Sequence, residues 1–183
     1  FRSAIVFAFR LLLRGKKSLM ILQNPDDKEV MLSAGAIEED RIRLIRGAGV
    51  DTTLFSPKPV PSGVPLVVLP SRMLWEKGVK EFVDCARDFI DSGKEVRFGL
   101  IGEPVPHNPG AVPQEQLQEW VKEGVVEWWG RCKDMPDVFH QSSVVCLPSF
   151  YGEGLPKALM EAASCERPIV TYDVPGCREA VIN

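Results

Sequence analysis

Histidine is scarce in this sequence, and its cysteines stand far apart. Only two histidines occur, His107 and His140, and no two of the five cysteines form a Cys-x-x-Cys pair. Because zinc sites are built from closely spaced cysteine and histidine ligands, we expect no metal site. The cysteines are expected to be buried free thiols in the reducing cytosol. They are Cys85, Cys132, Cys146, Cys165 and Cys177.

Three further absences exclude whole classes of protein. No Gly-x-Gly-x-x-Gly run opens a predicted helix, which excludes a dinucleotide-dependent dehydrogenase. The formal net charge is −3, so an extended nucleic-acid-binding surface is not expected. The strongest apolar run, residues 4–13, is interrupted by Arg10 and is too short to cross a bilayer.

The same apolar run does not resemble a signal peptide, because basic residues rather than a small-residue cleavage site follow it. We expect a helix that packs on another part of the protein. The alternative is a helix that lies on a membrane surface, which would place the protein peripherally on the cytoplasmic face. The chain starts at Phe1 and stops at Asn183, soon after the start of another helical pattern. We therefore expect a piece of a longer protein.

Short apolar, β-branched runs alternate with helical patterns along the chain. The runs predict strands at 19–22, 42–45, 66–69, 96–101, 125–129, 144–147 and 169–172. Helices are predicted at 26–33, 80–92, 113–123, 135–141 and 156–165. Strands that alternate with helices form parallel sheets through right-handed crossovers. The sequence thus predicts the α/β class, with a Rossmann-like, doubly wound parallel sheet and a ligand crevice at the carboxyl ends of its strands.

Two proline clusters punctuate this pattern. Residues 54–65 hold four prolines and mark a connection, which divides the chain into residues 1–59 and 60–183. Residues 104–113 hold four more. They form a long loop directly after a predicted strand, where binding loops are common.

The segment 152–162 (Gly-Glu-Gly-Leu-Pro-Lys-Ala-Leu-Met-Glu-Ala) combines a glycine-rich turn with the start of a helix. Pro156 suits the first helical position, and Gly154 lets a ligand approach the backbone. The free N–H groups at a helix start attract anions. Glu153 and Glu161 can accept hydrogen bonds from hydroxyl groups. This combination suits a ligand with both phosphate and sugar hydroxyls, such as a nucleotide sugar.

Two cations are predicted at the same edge of the sheet. Arg72 and Lys77 follow the strand at 66–69. Arginine offers a planar fork to phosphate and lysine a compact charge, so together they suit a diphosphate. Taken alone, each could be a solvated loop cation. Their expected position beside Glu153 favours the binding role.

Five segments in order resemble one known family. They are residues 43–58, Arg72 with Glu76-Lys77-Gly78, Gly102-Glu103, Leu147-Pro148-Ser149, and the Glu153-x7-Glu161 pair. Together they look like a group 1 glycosyltransferase, that is glycosyltransferase family 4 with the GT-B fold, over about residues 20–183. The resemblance implies two Rossmann-like domains that face a cleft. Residues 1–59 would be the end of the amino-terminal domain, and 60–183 the carboxyl-terminal, nucleotide-sugar-binding domain, truncated at its end.

The resemblance also implies roles for individual residues. Arg72 and Lys77 would hold the diphosphate, and Glu153 the donor sugar. The remaining donor-binding positions are the amides of Gly154 and Leu155 for sugar and phosphate, Glu161 for the ribose, and Gly130 and Arg131 for the base. The neighbouring Trp128 and Trp129 are expected to belong to the core rather than to stack on the base.

The implied activity is sugar transfer from a nucleoside-diphosphate sugar to a saccharide or lipid-linked acceptor, with retention of configuration and without a metal or other cofactor. Acceptor recognition would lie in the domain that this chain lacks, so the fragment alone should be inactive. Three alternatives exist. They are a glycosidase that uses paired carboxylates, a nucleotide-sugar epimerase of the same architecture, and a non-catalytic nucleotide-binding module.

Overall fold

A computed structural model describes residues 2–13, 15 and 18–181 of the chain. Its helices are α1 (Arg2–Leu12), α2 (Pro25–Ser33), α3 (Val79–Asp91), α4 (Gln114–Lys122), α5 (Met135–Gln141) and α6 (Lys157–Ser164). Its strands are β1 (Met20–Leu22), β2 (Ile42–Leu44), β3 (Leu66–Pro70), β4 (Arg97–Ile101), β5 (Glu127–Gly130), β6 (Val144–Leu147) and β7 (Ile169–Thr171). Every predicted element is present, with its ends shifted by at most two residues.

The strands form two parallel sheets. The larger sheet has five strands in the order β5-β4-β3-β6-β7, and the smaller sheet pairs β1 with β2. From β3 the chain winds outward through β4 and β5, and then crosses back to β6 on the other side of β3. This confirms the α/β, doubly wound parallel sheet. The reversal between β3 and β6 creates the crevice in which such sheets bind ligands.

A separate apolar core covers each face of the larger sheet. On one face α3 and α4 pack through residues such as Phe82 and Leu117, and on the other α5 and α6 pack through residues such as Phe139 and Leu159. Trp128 and Trp129 point to opposite faces because side chains alternate along β5. Each packs against one of the two cores. They contribute to the core, as expected.

The smaller sheet, α1 and α2 precede the proline-rich connection, and we call residues 18–59 with α1 the amino-terminal unit. Backbone carbonyls of the connection accept hydrogen bonds from side chains at the end of α6 and just beyond it. Ser164 donates to the Phe55 carbonyl at 2.6 Å, and the buried Arg167 donates to the Lys58 carbonyl at 2.6 Å. These bonds fix where the amino-terminal unit meets α6.

The cysteines differ in burial. All five are free, Cys165 and Cys177 are buried, and Cys85 is exposed. The expectation of buried thiols is therefore wrong for Cys85, which lies on the outer face of the amphipathic helix α3. In the described part of the chain, no helix has the length and apolarity needed to cross a membrane.

Candidate functional site

The candidate site lies where the carboxyl ends of β3 and β6 diverge. Two loops leave this point, one over residues 71–78 and one over residues 148–156. They touch directly, because the Glu76 carbonyl accepts hydrogen bonds from Ser149 Oγ and the Phe150 N–H, both at 3.2 Å. Gly78 has a φ of +74°, and a Cβ there would lie 2.1 Å from the Pro148 carbonyl oxygen. A glycine at this position lets the two loops meet.

Lys77, of the first loop, pairs with Glu153, of the second. Lys77 Nζ lies 2.7 Å from Glu153 Oε2, and the two side chains are 11% and 20% exposed. The other oxygen, Glu153 Oε1, is buried and accepts no hydrogen bond from any described residue. A buried acceptor without a partner costs stability, and this oxygen is free to accept a hydrogen bond from a ligand. The structure therefore joins two predicted site residues that are far apart in the sequence.

At the carboxyl ends of β3 and β4 is an open cavity of about 420 Å³. Arg72 and Arg131 line it, together with Gly102, Glu103 and the loop over residues 104–106. Ala158, in the first turn of α6, also lines it. Two guanidinium groups and a helix start thus face one space, an arrangement that favours an anion. Gly130, which ends β5, has a φ of +64° and accepts a hydrogen bond from Gly102 N–H at 2.7 Å.

Glu161 lies on α6, three residues beyond Ala158 and hence on the same helix face. It is buried, although it does not line the cavity itself. Its Oε1 lies 3.3 Å from Nζ of the exposed Lys157. A carboxylate in this position can accept hydrogen bonds from the hydroxyl groups of a ligand that extends along α6.

Around Gly154 the structure departs from the sequence interpretation. The helix α6 begins at Lys157, and Pro156 is its N-cap residue rather than its first helical residue. A Cβ on Gly154 would lie 1.9 Å from Gln23 Oε1, so the close neighbour of this glycine is a side chain of the amino-terminal unit. The same oxygen accepts a hydrogen bond from the Leu155 N–H at 3.0 Å.

Sequence reasoning missed two residues here, Gln23 and Asn24. Asn24 is completely buried and donates from Nδ2 to the Glu153 carbonyl at 3.0 Å. The contact joins positions 129 residues apart, and no local pattern could have indicated it. A larger cavity of about 870 Å³, between α1, α2 and Pro175, contains none of the predicted site residues.

The sequence comparisons identify a family and relatives of this chain. The family model described as "Glycosyl transferases group 1" matches residues 64–183. Over 89% of this chain the sequence is 31% identical to the N,N'-diacetylbacillosaminyl-diphospho-undecaprenol alpha-1,3-N-acetylgalactosaminyltransferase of Campylobacter jejuni, and covers 44% of that protein. Over 73% it is 29% identical to the putative colanic acid biosynthesis glycosyltransferase WcaL of Escherichia coli K12, and covers 34% of it.

Solved structures agree at the level of the fold. The structure of Anabaena Alr3699/HepE in complex with UDP matches the whole of this chain with a TM-score of 0.83 and 22% identity, and the chain covers 52% of it. The chain thus spans about half the length, or less, of the relatives that it matches. With a family match over the whole of the larger sheet, the chain belongs to the group 1 glycosyltransferases and has a domain of their GT-B fold.

Proposed function

We propose that this chain is the donor-binding part of a retaining glycosyltransferase of family 4. The enzyme would transfer a sugar from a nucleoside-diphosphate sugar to a saccharide or lipid-linked acceptor, without a metal. The observation that carries the proposal is the largely buried Lys77–Glu153 pair with its free Glu153 Oε1. Arg72, in the same loop as Lys77, lines a cavity together with Arg131. The loop after β3 thus supplies cations suited to a diphosphate, and one of them contacts a glutamate that can accept a hydrogen bond from a sugar hydroxyl.

The relatives support the proposal. The Anabaena protein was crystallised with UDP and with UDP-glucose, and the name of the Campylobacter enzyme specifies a lipid-diphosphate acceptor. We propose a uridine nucleotide as the first donor to test. Membership of a glycosyltransferase family favours transfer over epimerisation and over a non-catalytic nucleotide-binding role.

In the proposed reaction, the negative charge that develops on the leaving group lies opposite positive charges of the protein. As the bond between the anomeric carbon and the diphosphate oxygen breaks, negative charge accumulates on the leaving diphosphate. Lys77, Arg72 and the start of α6 would stabilise that charge. The acceptor hydroxyl forms the new bond to the anomeric carbon, and its proton passes to the leaving diphosphate. No side chain in the crevice is assigned as a covalent nucleophile, so retention would follow a front-face path.

The two glutamates would bind different parts of the donor. Glu153 would accept a hydrogen bond from a hydroxyl of the transferred sugar, and Glu161 would bind the ribose hydroxyls. Since ribose occurs in both UDP and UDP-sugars, Glu161→Ala should weaken the binding of both. Glu153→Gln should weaken the binding of a UDP-sugar more than that of UDP.

Isothermal titration calorimetry of the 183-residue chain tests these roles. UDP and UDP-glucose are titrated into the wild type and into the variants Glu153→Gln and Glu161→Ala. The control variant is Glu166→Gln, because Glu166 is an exposed glutamate just beyond α6. Thermal shifts with UDP, GDP and ADP identify the base, because a ligand that binds only the native state raises its stability. If no nucleoside diphosphate binds, the proposed site is wrong. If 2′,3′-dideoxyuridine diphosphate binds as well as UDP, the ribose role of Glu161 is wrong.

A further inference from the structure

Two side chains of the amino-terminal unit contact the backbone of residues 153–155, which we call the Glu153 turn. Gln23 Oε1 accepts a hydrogen bond from the Leu155 N–H, and Asn24 Nδ2 donates one to the Glu153 carbonyl, both at 3.0 Å. The two hydrogen bonds hold the first and the last residue of the turn, Glu153 and Leu155. The amino-terminal unit therefore contacts the very residue that carries the free carboxylate oxygen.

Asn24 is held firmly enough to act as an anchor. Its side chain is completely buried. Its Oδ1 accepts from the Asp27 N–H at 2.7 Å and so caps α2, while its Nδ2 also donates to Asp27 Oδ2 at 2.9 Å. Because every polar atom of this side chain has a partner, its orientation is fixed by α2. Any tilt of α2 is transmitted to the Glu153 carbonyl.

The opposite side of the turn is fixed by the loop after β7. The Glu153 N–H donates to the Pro175 carbonyl at 3.1 Å. A Cβ on Gly176 would lie 1.6 Å from the Gly154 carbonyl oxygen, which shows how closely the two backbones pack. The turn is thus held between Gln23 and Asn24 on one side and Pro175 and Gly176 on the other. The place of its carboxylate, and of the pair with Lys77, follows from where the backbone is held.

We propose that Gln23 and Asn24 are positioning residues for the Glu153 carboxylate, and that through them the amino-terminal unit controls how the sugar part of the donor is bound. This inference rests on the proposed function of the site. Neither residue needs to touch the donor. They act through the backbone of the Glu153 turn, so their loss affects the sugar-dependent part of binding and leaves the nucleotide-dependent part intact.

Two substitutions separate this role from a general loss of stability. Asn24→Ser keeps a good N-cap for α2 but is too short to reach the Glu153 carbonyl. Gln23→Met keeps the length of the side chain and removes its acceptor oxygen. The control is Lys28→Met, also on α2. It removes an exposed ion pair with Glu39, which lies beyond that helix, and touches no part of the Glu153 turn.

The experiment measures the binding of UDP and UDP-glucose to the 183-residue chain by calorimetry, together with amide hydrogen exchange in the absence of ligand. We expect Asn24→Ser and Gln23→Met each to weaken UDP-glucose binding about fivefold, the effect of one hydrogen bond, while UDP binding changes less than about twofold. Gln23→Met should also speed exchange at the Leu155 amide. Lys28→Met should match the wild type in all three measurements.

A double-mutant cycle gives the decisive readout. In a Glu153→Gln background, Asn24→Ser should have no further effect on UDP-glucose binding if Asn24 acts through that carboxylate. Additive effects would instead show a merely structural role and overturn the proposal, as would wild-type UDP-glucose affinity in both single variants. Tighter binding by Gln23→Met would show that Gln23 competes with the donor, which also overturns it. A wild-type chain that binds neither nucleotide would refute the proposed function itself.

Discussion

At the scale of single residues, the crevice depends on a charge pair that is only partly solvated. Lys77 and Glu153 are mostly withdrawn from water, and each neutralises the other at 2.7 Å. Removing one partner leaves the other charge buried and uncompensated, which costs more than the pair itself contributes. The two residues are therefore best tested by their effect on ligand binding, with the stability of each variant measured alongside.

We expect Lys77→Ala and Arg72→Ala each to weaken UDP binding by about 1.5–3 kcal/mol, the usual range for hydrogen bonds to charged groups. Calorimetry of the folded variants measures the effect. Lys80→Ala is the control, because Lys80 is an exposed lysine on α3 that pairs with Asp84. If both variants bind UDP as the wild type does, neither residue belongs to the site.

A second prediction concerns Cys146 on β6. Burial, with a smaller contribution from Cys85, raises the pKa of the Cys146 thiol to about 12. An unfolded cysteine has a pKa of about 8.5, so above that pH the unfolded state releases a proton that the folded state keeps. The free energy of unfolding should then fall as pH rises towards 12, by up to about 1.4 kcal/mol per pH unit from this group.

Urea denaturation of the wild type and of Cys146→Ala between pH 8 and pH 11 isolates that contribution. The variant lacks the thiol, so its stability should fall less steeply over this range than that of the wild type. Lysines and tyrosines titrate equally in both proteins and cancel in the difference. Parallel profiles for the two proteins would mean that the Cys146 thiol ionises as easily in the folded state as in the unfolded one.

At the scale of secondary-structure elements, the turn before α6 is shaped by its neighbours more than by its own residues. Gly154 makes room for the side chain of Gln23, whereas Gly176 makes room for the backbone of the turn. The difference matters, because an exposed side chain can move aside and a packed backbone cannot. Gly176 also has a φ of +86°, which other residues rarely adopt.

We therefore expect Gly154→Ala to cost about 1 kcal/mol of stability, the value of the Gln23–Leu155 hydrogen bond that it displaces. Gly176→Ala should cost about 3 kcal/mol or more, because a backbone clash and an unfavourable φ add together. Chemical denaturation measures both. In a Gln23→Ser background the cost of Gly154→Ala should vanish and that of Gly176→Ala should remain. An undiminished cost of Gly154→Ala would show that Gln23 is not what confines this glycine.

At the scale of the whole molecule, the two units differ in how well they cover their apolar surface. The larger sheet has a core on each face. The amino-terminal unit instead exposes large apolar side chains on α1, on α2 and at or just before β1. They are Ile5, Phe7, Leu11, Leu12, Leu19, Ile21 and Val30. An apolar patch of this extent marks a surface that packs against another part of the protein or against another molecule.

The 183-residue chain on its own is accordingly expected to self-associate through α1. Light scattering after size-exclusion chromatography should show an average mass that rises with concentration. Leu12→Glu, at the most exposed of these positions with 76% exposure, should shift the protein towards monomer. Val64→Glu is the matched control, because Val64 is an exposed apolar residue of the proline-rich connection and lies outside α1. Equal masses for the two variants would place the contact elsewhere.

The isolated chain is also expected to bind a nucleoside diphosphate without transferring sugar. It spans 44% of the Campylobacter enzyme and 52% of the Anabaena protein, and we propose that acceptor binding belongs to the remainder. Without the opposite wall of the cleft, closure cannot exclude water or align an acceptor. A radiolabelled transfer assay with the chain alone tests this, and full activity would place the acceptor site within these 183 residues.

The sequence by itself determined the elements, the parallel sheet and the edge at which the crevice lies. Alternation of apolar runs such as 66–69 and 144–147 with amphipathic helices is a local property, and it allows few topologies. The same reasoning placed Arg72, Lys77 and Glu153 at one edge, because carboxyl ends of parallel strands share an edge. The resemblance to a family supplied the roles of these residues, which no pattern of spacing contains.

Only the tertiary structure decided which side chains meet. Three features of the site depend on contacts between residues 76 to 132 positions apart in the chain. They are the pairing of Lys77 with Glu153, the free Glu153 Oε1, and the hydrogen bonds of Gln23 and Asn24 to the turn. Such contacts arise when two units pack, and packing depends on shape and burial rather than on local propensity. For that reason the sequence predicts a ligand contact at Gly154, whereas the structure places a side chain of the amino-terminal unit, Gln23, beside it.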